Sequence, residues 1–228
     1  MNDIYDVSKN VEKLILGKCT NFLDARMQNI IKRKINKIDY QIYKPYKDSE
    51  KNIFYVNNKP NVLLYEIVCK NSIRHQDIMG TLFNLGINSS MYGDIIIVNN
   101  KYYIYILDII EKYLLCNLFM IGNNKVILEK RDVNLLYDYE REYETIELIV
   151  SSERVDTIIG SLIHTSRDIV INKIKDKEIL INYEIPKKSS LLKKEDIISI
   201  RKYGKYKYLG IINTTKKNNY IVLVNKYM

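Results

Sequence analysis

The chain of 228 residues holds 36 Lys and Arg against 27 Asp and Glu, and only 8 Gly and 3 Pro. With 46% hydrophobic and 28% charged residues it is neither collagenous, low-complexity nor wholly disordered, and its length suits roughly one to three domains. A formal net charge of +9 makes nucleic acid or an anionic membrane surface a candidate partner.

In chain order, residues 8–36 carry apolar side chains at helical spacing, and Gly17 with Thr20-Asn21 interrupts the run. Residues 38–43 and 52–56 read as short strands around a polar turn, which completes a small α+β unit over 1–60. Val62 to Val68 is an apolar run of strand length. Gln76 to Leu85 has helical spacing, with Gly86 as its stop. Asp94 to Val98 and Tyr102 to Ile106 form a hairpin about Asn99-Asn100-Lys101. A helix over Asp108 to Met120 and a strand over Lys125 to Glu129 follow. The order β-α-β-β-α-β predicts a ferredoxin-like unit over 61–145. Residues 146–228 form the third unit. Its expected elements are a strand to Val150, helices over Ser152 to Leu162 and from Thr165-Ser166-Arg167-Asp168 to Lys175, and strands at 178–183, 197–201, 208–212 and 220–224. The predicted class is α+β.

Charge is unevenly distributed. Residues 1–70 carry 13 basic and 8 acidic side chains, residues 71–145 carry 7 and 10, and residues 146–228 carry 16 and 9. Between positions 187 and 217 stand ten Lys and Arg residues, among them Lys187, Lys188, Arg201, Lys205 and Lys207, against only Glu195 and Asp196. Any one of these reads as a solvated surface residue. Together they point to nucleic acid. The acidic middle unit lacks the glycine-aromatic signature of RNA-recognition domains, although Tyr103 and Tyr105 alternate on one strand. It reads as a scaffold or a protein-binding surface.

Nothing in the chain assembles into a catalytic pattern. Phosphate-loop, dinucleotide, zinc-protease and nucleophile-elbow motifs are absent. His75, before Asp77 at a helix start, and His164, before Thr165, read as local structure. Cys19, Cys69 and Cys116 make neither a disulfide framework nor a zinc ribbon and fit a reducing cytosol. The acidic start, Met1-Asn2-Asp3-Ile4-Tyr5-Asp6, is unlike a signal peptide, and the longest apolar run, Tyr102 to Leu107, falls far short of the roughly 20 residues that span a bilayer. The expected protein is cytoplasmic, without metal or cofactor and without a membrane partner, and monomeric.

Several motifs resemble known families. Arg154-Val155-Asp156, Ser166-Arg167, Ile174, Ile179-Leu180-Ile181-Asn182 and Asp196-Ile197-Ile198 fall in the order and spacing of the S4 RNA-binding domain. Lys177 and Glu195 stand where that pattern has Gly, at positions that favour φ > 0. Thr20-Asn21-Phe22-Leu23-Asp24-Ala25-Arg26, with Ala25 in place of Pro, is similar to the T-x-F-L-D-P-R stretch of YlmH-type S4-domain proteins. His75-Gln76-Asp77-Ile78-Met79-Gly80, Leu85-Gly86-Ile87 and Gly93-Asp94-Ile95 resemble further motifs of that family, and Ser49-Glu50-Lys51 is a weaker likeness. The resemblance implies RNA binding without catalysis on the large ribosomal subunit, between 23S rRNA and a peptidyl-tRNA, in quality control of stalled chains.

The candidate RNA-binding residues are Arg154, Ser166, Arg167, Lys173, Lys175, Lys177, Lys187, Lys188, Arg201, Lys205, Tyr206 and Lys207. Arg suits bidentate phosphate contact, Lys supplies point charge, and Tyr206 between two lysines offers a ring for base stacking. For Arg154 an internal pair with Asp156 is the competing reading, for Ser166 a helix cap, and for Tyr206 packing. Two alternative functions stay open on the sequence: an S4-domain enzyme or accessory that modifies rRNA or tRNA, and a protein-interaction module linked to cell division.

Overall fold

A computed structural model describes residues 2–35, 37–187 and 189–227. The chain divides into two compact units, Met1–Glu140 and Arg141–Met228. The stretches 1–60 and 61–140 therefore belong to one unit.

That first unit begins with α1 (Asn2–Ile15) and α2 (Ala25–Lys34). Gly17, at φ +71°, turns the chain between them. Asp24 caps α2 by accepting the Met27 N–H at 2.7 Å, and Ala25 occupies the first helical position, where Pro is also tolerated. The hairpin of β1 (Gln41–Tyr43) and β2 (Ile53–Tyr55) follows. Next come β3 (Val62–Cys69), α3 (His75–Asn84), β4 (Tyr92–Val98), β5 (Lys101–Leu107), α4 (Glu111–Asn117), β6 (Met120–Ile121) and β7 (Asn124–Arg131). The sheet order is β4-β5-β3-β7-β6 with every pair antiparallel, the split βαβ arrangement extended by a short hairpin.

β5 explains why residues 102–107 are apolar without a break. Tyr102, Ile104 and Ile106 pack with Ile78, Leu82 and Leu114 from the two helices. Tyr103, Tyr105 and Leu107 pack with Phe22, Tyr46 and Ile53 from the first 60 residues. A strand covered on both faces has no polar alternate.

The second unit contains β8 (Tyr143–Val150), α5 (Val155–Leu162), α6 (Arg167–Lys175), β9 (Ile179–Ile181), β10 (Ile197–Ile200), β11 (Gly204–Thr214) and β12 (Tyr220–Tyr227). Its sheet order is β8-β12-β11-β10-β9. One sheet face shares a core with the helices through Val155, Ile158, Ile159, Val170, Ile198, Tyr208 and Val224. Gly160 permits the close helix turn, since a Cβ there would lie 3.0 Å from the Thr165 carbonyl oxygen.

β9 is shorter than the 178–183 expectation because Asn182 and Tyr183 have φ of +50° and +67°, which ends extended backbone. Asn182 instead locks two segments together. It donates to Asp196 Oδ1 at 2.8 Å and accepts the Ile197 N–H at 2.9 Å, while Asp196 Oδ2 accepts the Lys193 N–H at 2.8 Å.

Lys177 and Glu195 adopt φ of +58° and +77°. A side chain at such a position is strained relative to Gly, partly offset by the greater freedom Gly gives the unfolded chain. Lys177→Gly is therefore expected to stabilise the second unit by about 0.5 kcal/mol. Urea unfolding followed by hydrogen exchange in α6 checks this, and a loss of stability would sink the strain account.

Candidate nucleic-acid interface

The eleven candidates among the described residues do not form one surface. Arg154 and Arg167 lie near each other at the helix hairpin. Arg154 is the N-cap residue of α5 and grips Asp156 with two hydrogen bonds, Nε to Oδ1 at 2.9 Å and Nη2 to Oδ2 at 2.8 Å. Asp156 is only 2% exposed. The Arg154 hydrogen bonds hold its carboxyl below the usual carboxylate range, and the Arg167 charge adds to the effect. The internal pairing reading is thus realised for Arg154, whose side chain remains 40% exposed. Arg167 is exposed and its Nη2 donates to Ser151 Oγ at 3.2 Å. Ser166 caps α6, accepting the Ile169 N–H at a long 3.4 Å.

The segment carrying Lys187 runs past the start of α5. The Val155 N–H donates to the Ser190 carbonyl at 3.0 Å, and Leu191 bridges to Arg154. Lys187 is exposed. Lys188 lies outside the described residues.

A second group gathers at the C-terminal end of α6, where helix carbonyls also favour cations. Lys173 pairs with Glu178 at 2.8 Å and sits 5.7 Å from the Tyr203 ring centroid. Lys175, Lys177 and Arg201 are exposed, and the Arg201 N–H donates to the Glu178 carbonyl at 2.8 Å. Lys173 is the least available member, because its ammonium already has a carboxylate partner.

The third group is on β11, where alternation separates neighbours. Lys205 and Lys207 point away from the core, and Tyr206 and Tyr208 point into it. Tyr206 is only 4% exposed and its hydroxyl donates to the Tyr203 carbonyl at 3.0 Å, so it is a packing residue and offers no stacking face. Lys205 donates to the Tyr183 hydroxyl at 2.9 Å, with its ammonium 5.2 and 4.9 Å from the Tyr183 and Tyr227 ring centroids. Tyr227 also meets Tyr143 edge-on and lies 5.2 Å from the Arg141 guanidinium. This cation-aromatic row on the outer sheet face has no sequence signature, because its members are scattered over some 85 positions. Lys207 pairs with Glu195.

In the first unit, the sheet face that RNA-recognition domains use for stacking is covered. Tyr103 is 5% exposed and Tyr105 is fully buried. Any nucleic-acid contact by this unit must use another surface. Among the described residues no group of His, Cys, Asp and Glu is arranged to hold a metal ion, and no helix is long and apolar enough to cross a membrane. His75 opens α3, whose cap is formed by Arg74 and Asp77, and His164, at φ +51°, sits in the turn between α5 and α6.

Residues 62–135 match a family model described as "Putative RNA-binding domain in YlmH". That description attaches RNA binding to the middle of the chain, where the acidic composition suggests a scaffold. A stretch of 152 residues, 66% of the chain, is 26% identical to the Bacillus subtilis (strain 168) "Ribosome-associated protein quality control protein P2". The match spans 59% of that protein's length. Among solved structures, "Cell division protein ylmH from Streptococcus pneumoniae" aligns with a TM-score of 0.50 at 19% identity, over 60% of this chain and 93% of that one. At that identity the likeness concerns the fold.

Proposed function

We propose that this chain is a YlmH-type protein, a non-catalytic RNA-binding factor of the ribosome that acts in the cytoplasm as a monomer. The observation that carries this reading is the basic α5–α6 hairpin with the adjoining Lys187 segment. There exposed Arg167 and Lys187 accompany an Arg154 that Asp156 holds in a fixed orientation. Phosphate contacts of this kind position a protein on folded RNA without reading bases. The finer proposal is that the hairpin meets 23S rRNA and a peptidyl-tRNA on the large subunit during quality control of stalled chains. The name of the Bacillus relative supports it. The exposed cations at the end of α6, Lys175, Lys177 and Arg201, would extend the contact, and Lys205 and Lys207 would meet a strand that crosses the outer sheet face. The first unit supplies the matched RNA-binding region, through surfaces other than the covered sheet face.

Sedimentation of the full chain with ribosomal fractions over a salt series tests this. The combined Arg167→Ala, Lys175→Ala and Lys187→Ala variant is expected to bind about ten- to a hundredfold more weakly. Its log affinity against log salt should be shallower by about two to three units, one for each phosphate that the variant no longer neutralises. Wild-type protein that fails to sediment with large subunits at low salt refutes the ribosome assignment. An unchanged salt slope refutes the hairpin as the interface.

A further inference from the structure

One face of α1 carries Asp6, Lys9 and Lys13, spaced so that all three border one cleft of about 230 Å³. Lys51, Asn21 and Asp24 also line it. The cleft therefore holds three ammonium groups against two carboxylates.

The acids are engaged unevenly. Asp24 accepts the Met27 N–H as the cap of α2. Burial pushes the Lys51 ammonium below its ordinary value, the charges of Asp94, Asp24 and Glu50 only partly oppose this, and the ammonium donates to the Ser89 and Tyr92 carbonyls at 2.8 and 3.2 Å. Lys13 has no such compensation. It is half-buried, donates to the neutral Asn21 Oδ1 at 2.7 Å, and makes no ion pair among the described residues. Burial first, and then the neighbouring charges of Lys9 and Lys18, push its ammonium below the ordinary value, with only the Cys19 thiol acting against them. A desolvated cation between two others is costly to hold unless an anion joins it.

We propose that this cleft binds a phosphate group, carried by a nucleotide or by an RNA strand, with Lys13 and Lys9 as the cations that receive it. The volume is below that of a typical drug-sized pocket, roughly 300 Å³ and upward, and suits a phosphate with its sugar. Lysine ammonium groups are flexible point charges and meet a phosphate without a fixed fork geometry. The proposal does not rest on the RNA-binding role of the second unit.

Lysine footprinting on the full chain tests it. Acetylation rates of Lys9 and Lys13 are followed by mass spectrometry, with exposed Lys18 as the internal reference. The probes are inorganic phosphate, AMP and a short 5′-phosphorylated oligoribonucleotide, each against chloride at matched ionic strength. At a tenfold excess over the dissociation constant, Lys13 is expected to be protected about tenfold relative to Lys18. Lys13→Gln should abolish the protection of Lys9 while leaving the thermal melt in place, and Lys13→Arg should retain it. Protection by phosphate and AMP supports the proposal with a small-molecule ligand. Protection by the oligoribonucleotide alone supports it with an RNA phosphate. Equal protection by chloride, protection of Lys9 that survives Lys13→Gln, or no protection by any probe overturns it.

Discussion

Replacing Asp94 by Ala is expected to destabilise the Met1–Glu140 unit by about 3 kcal/mol. Asp94 Oδ2 accepts the Tyr46 hydroxyl at 2.8 Å, the Glu50 N–H at 2.8 Å and the Lys51 N–H at 3.4 Å. It thereby ties the turn between β1 and β2 to β4. Tyr46 is fully buried, stacked against Tyr105 with ring centroids 6.1 Å apart. Its hydroxyl cannot turn to water without opening that core. A buried donor left without its acceptor costs about 1–3 kcal/mol, and the two backbone donors add to it unless water enters. Asp94→Asn keeps one acceptor oxygen and should cost less, about 1 kcal/mol. Urea unfolding, with hydrogen exchange at Glu50 and Lys51, separates the cases. An Ala variant within about 1 kcal/mol of wild type, or unchanged exchange at those amides, would show that Asp94 does not hold the turn.

The same residues show what the sequence could and could not say. The stretches Thr20 to Arg26, Ser49 to Lys51 and Gly93 to Ile95 are far apart in the chain, and their resemblance to family motifs gives no hint that they touch. In the folded unit they form one joint. Phe22 lies where a Cβ on Gly93 would come within 3.0 Å of it, and Asp94 accepts hydrogen bonds from the Glu50 and Lys51 N–H groups. The element order was legible because it depends on local periodicity: the hairpin at Asn99-Asn100, both with positive φ, and the Gly86 stop carry their own backbone signals. The cover over Tyr103 and Tyr105 was not, because an apolar residue does not say which distant segment it will meet.

Among the candidate site residues the division has the same cause. Ser166 as a cap and the αL positions at Lys177 and Glu195 follow from local geometry, and the structure holds them so. The lysine neighbours of Tyr206 make it a candidate for RNA, yet strand alternation sends adjacent residues to opposite faces. If Lys205 and Lys207 are outside, Tyr206 must be inside. The Tyr183, Lys205 and Tyr227 row needs three separate segments to be placed before it exists at all.

Asp156 carries the remaining large effect. Asp156→Ala is expected to cost the second unit about 2 kcal/mol, since it leaves the Arg154 fork without its acceptor beside the α5 start and removes an acid from the first helical turn. The pH dependence follows from the sign of the shift. The folded-state carboxyl titrates below its unfolded value, so its stabilisation is fully present above about pH 4 and is lost as the pH falls through the depressed folded value. Wild type and Asp156→Asn should therefore differ in urea midpoint at neutral pH and converge below that window. A constant difference across the acid range would mean that the carboxylate charge contributes nothing and that packing alone accounts for the loss. RNA binding separates the two roles further. If the proposed ribosome contact holds and Asp156 acts in it by orienting Arg154, Asp156→Asn weakens that association at temperatures where the unit is still folded, and Arg154→Ala in the same background adds little, because residues acting through one contact are not additive.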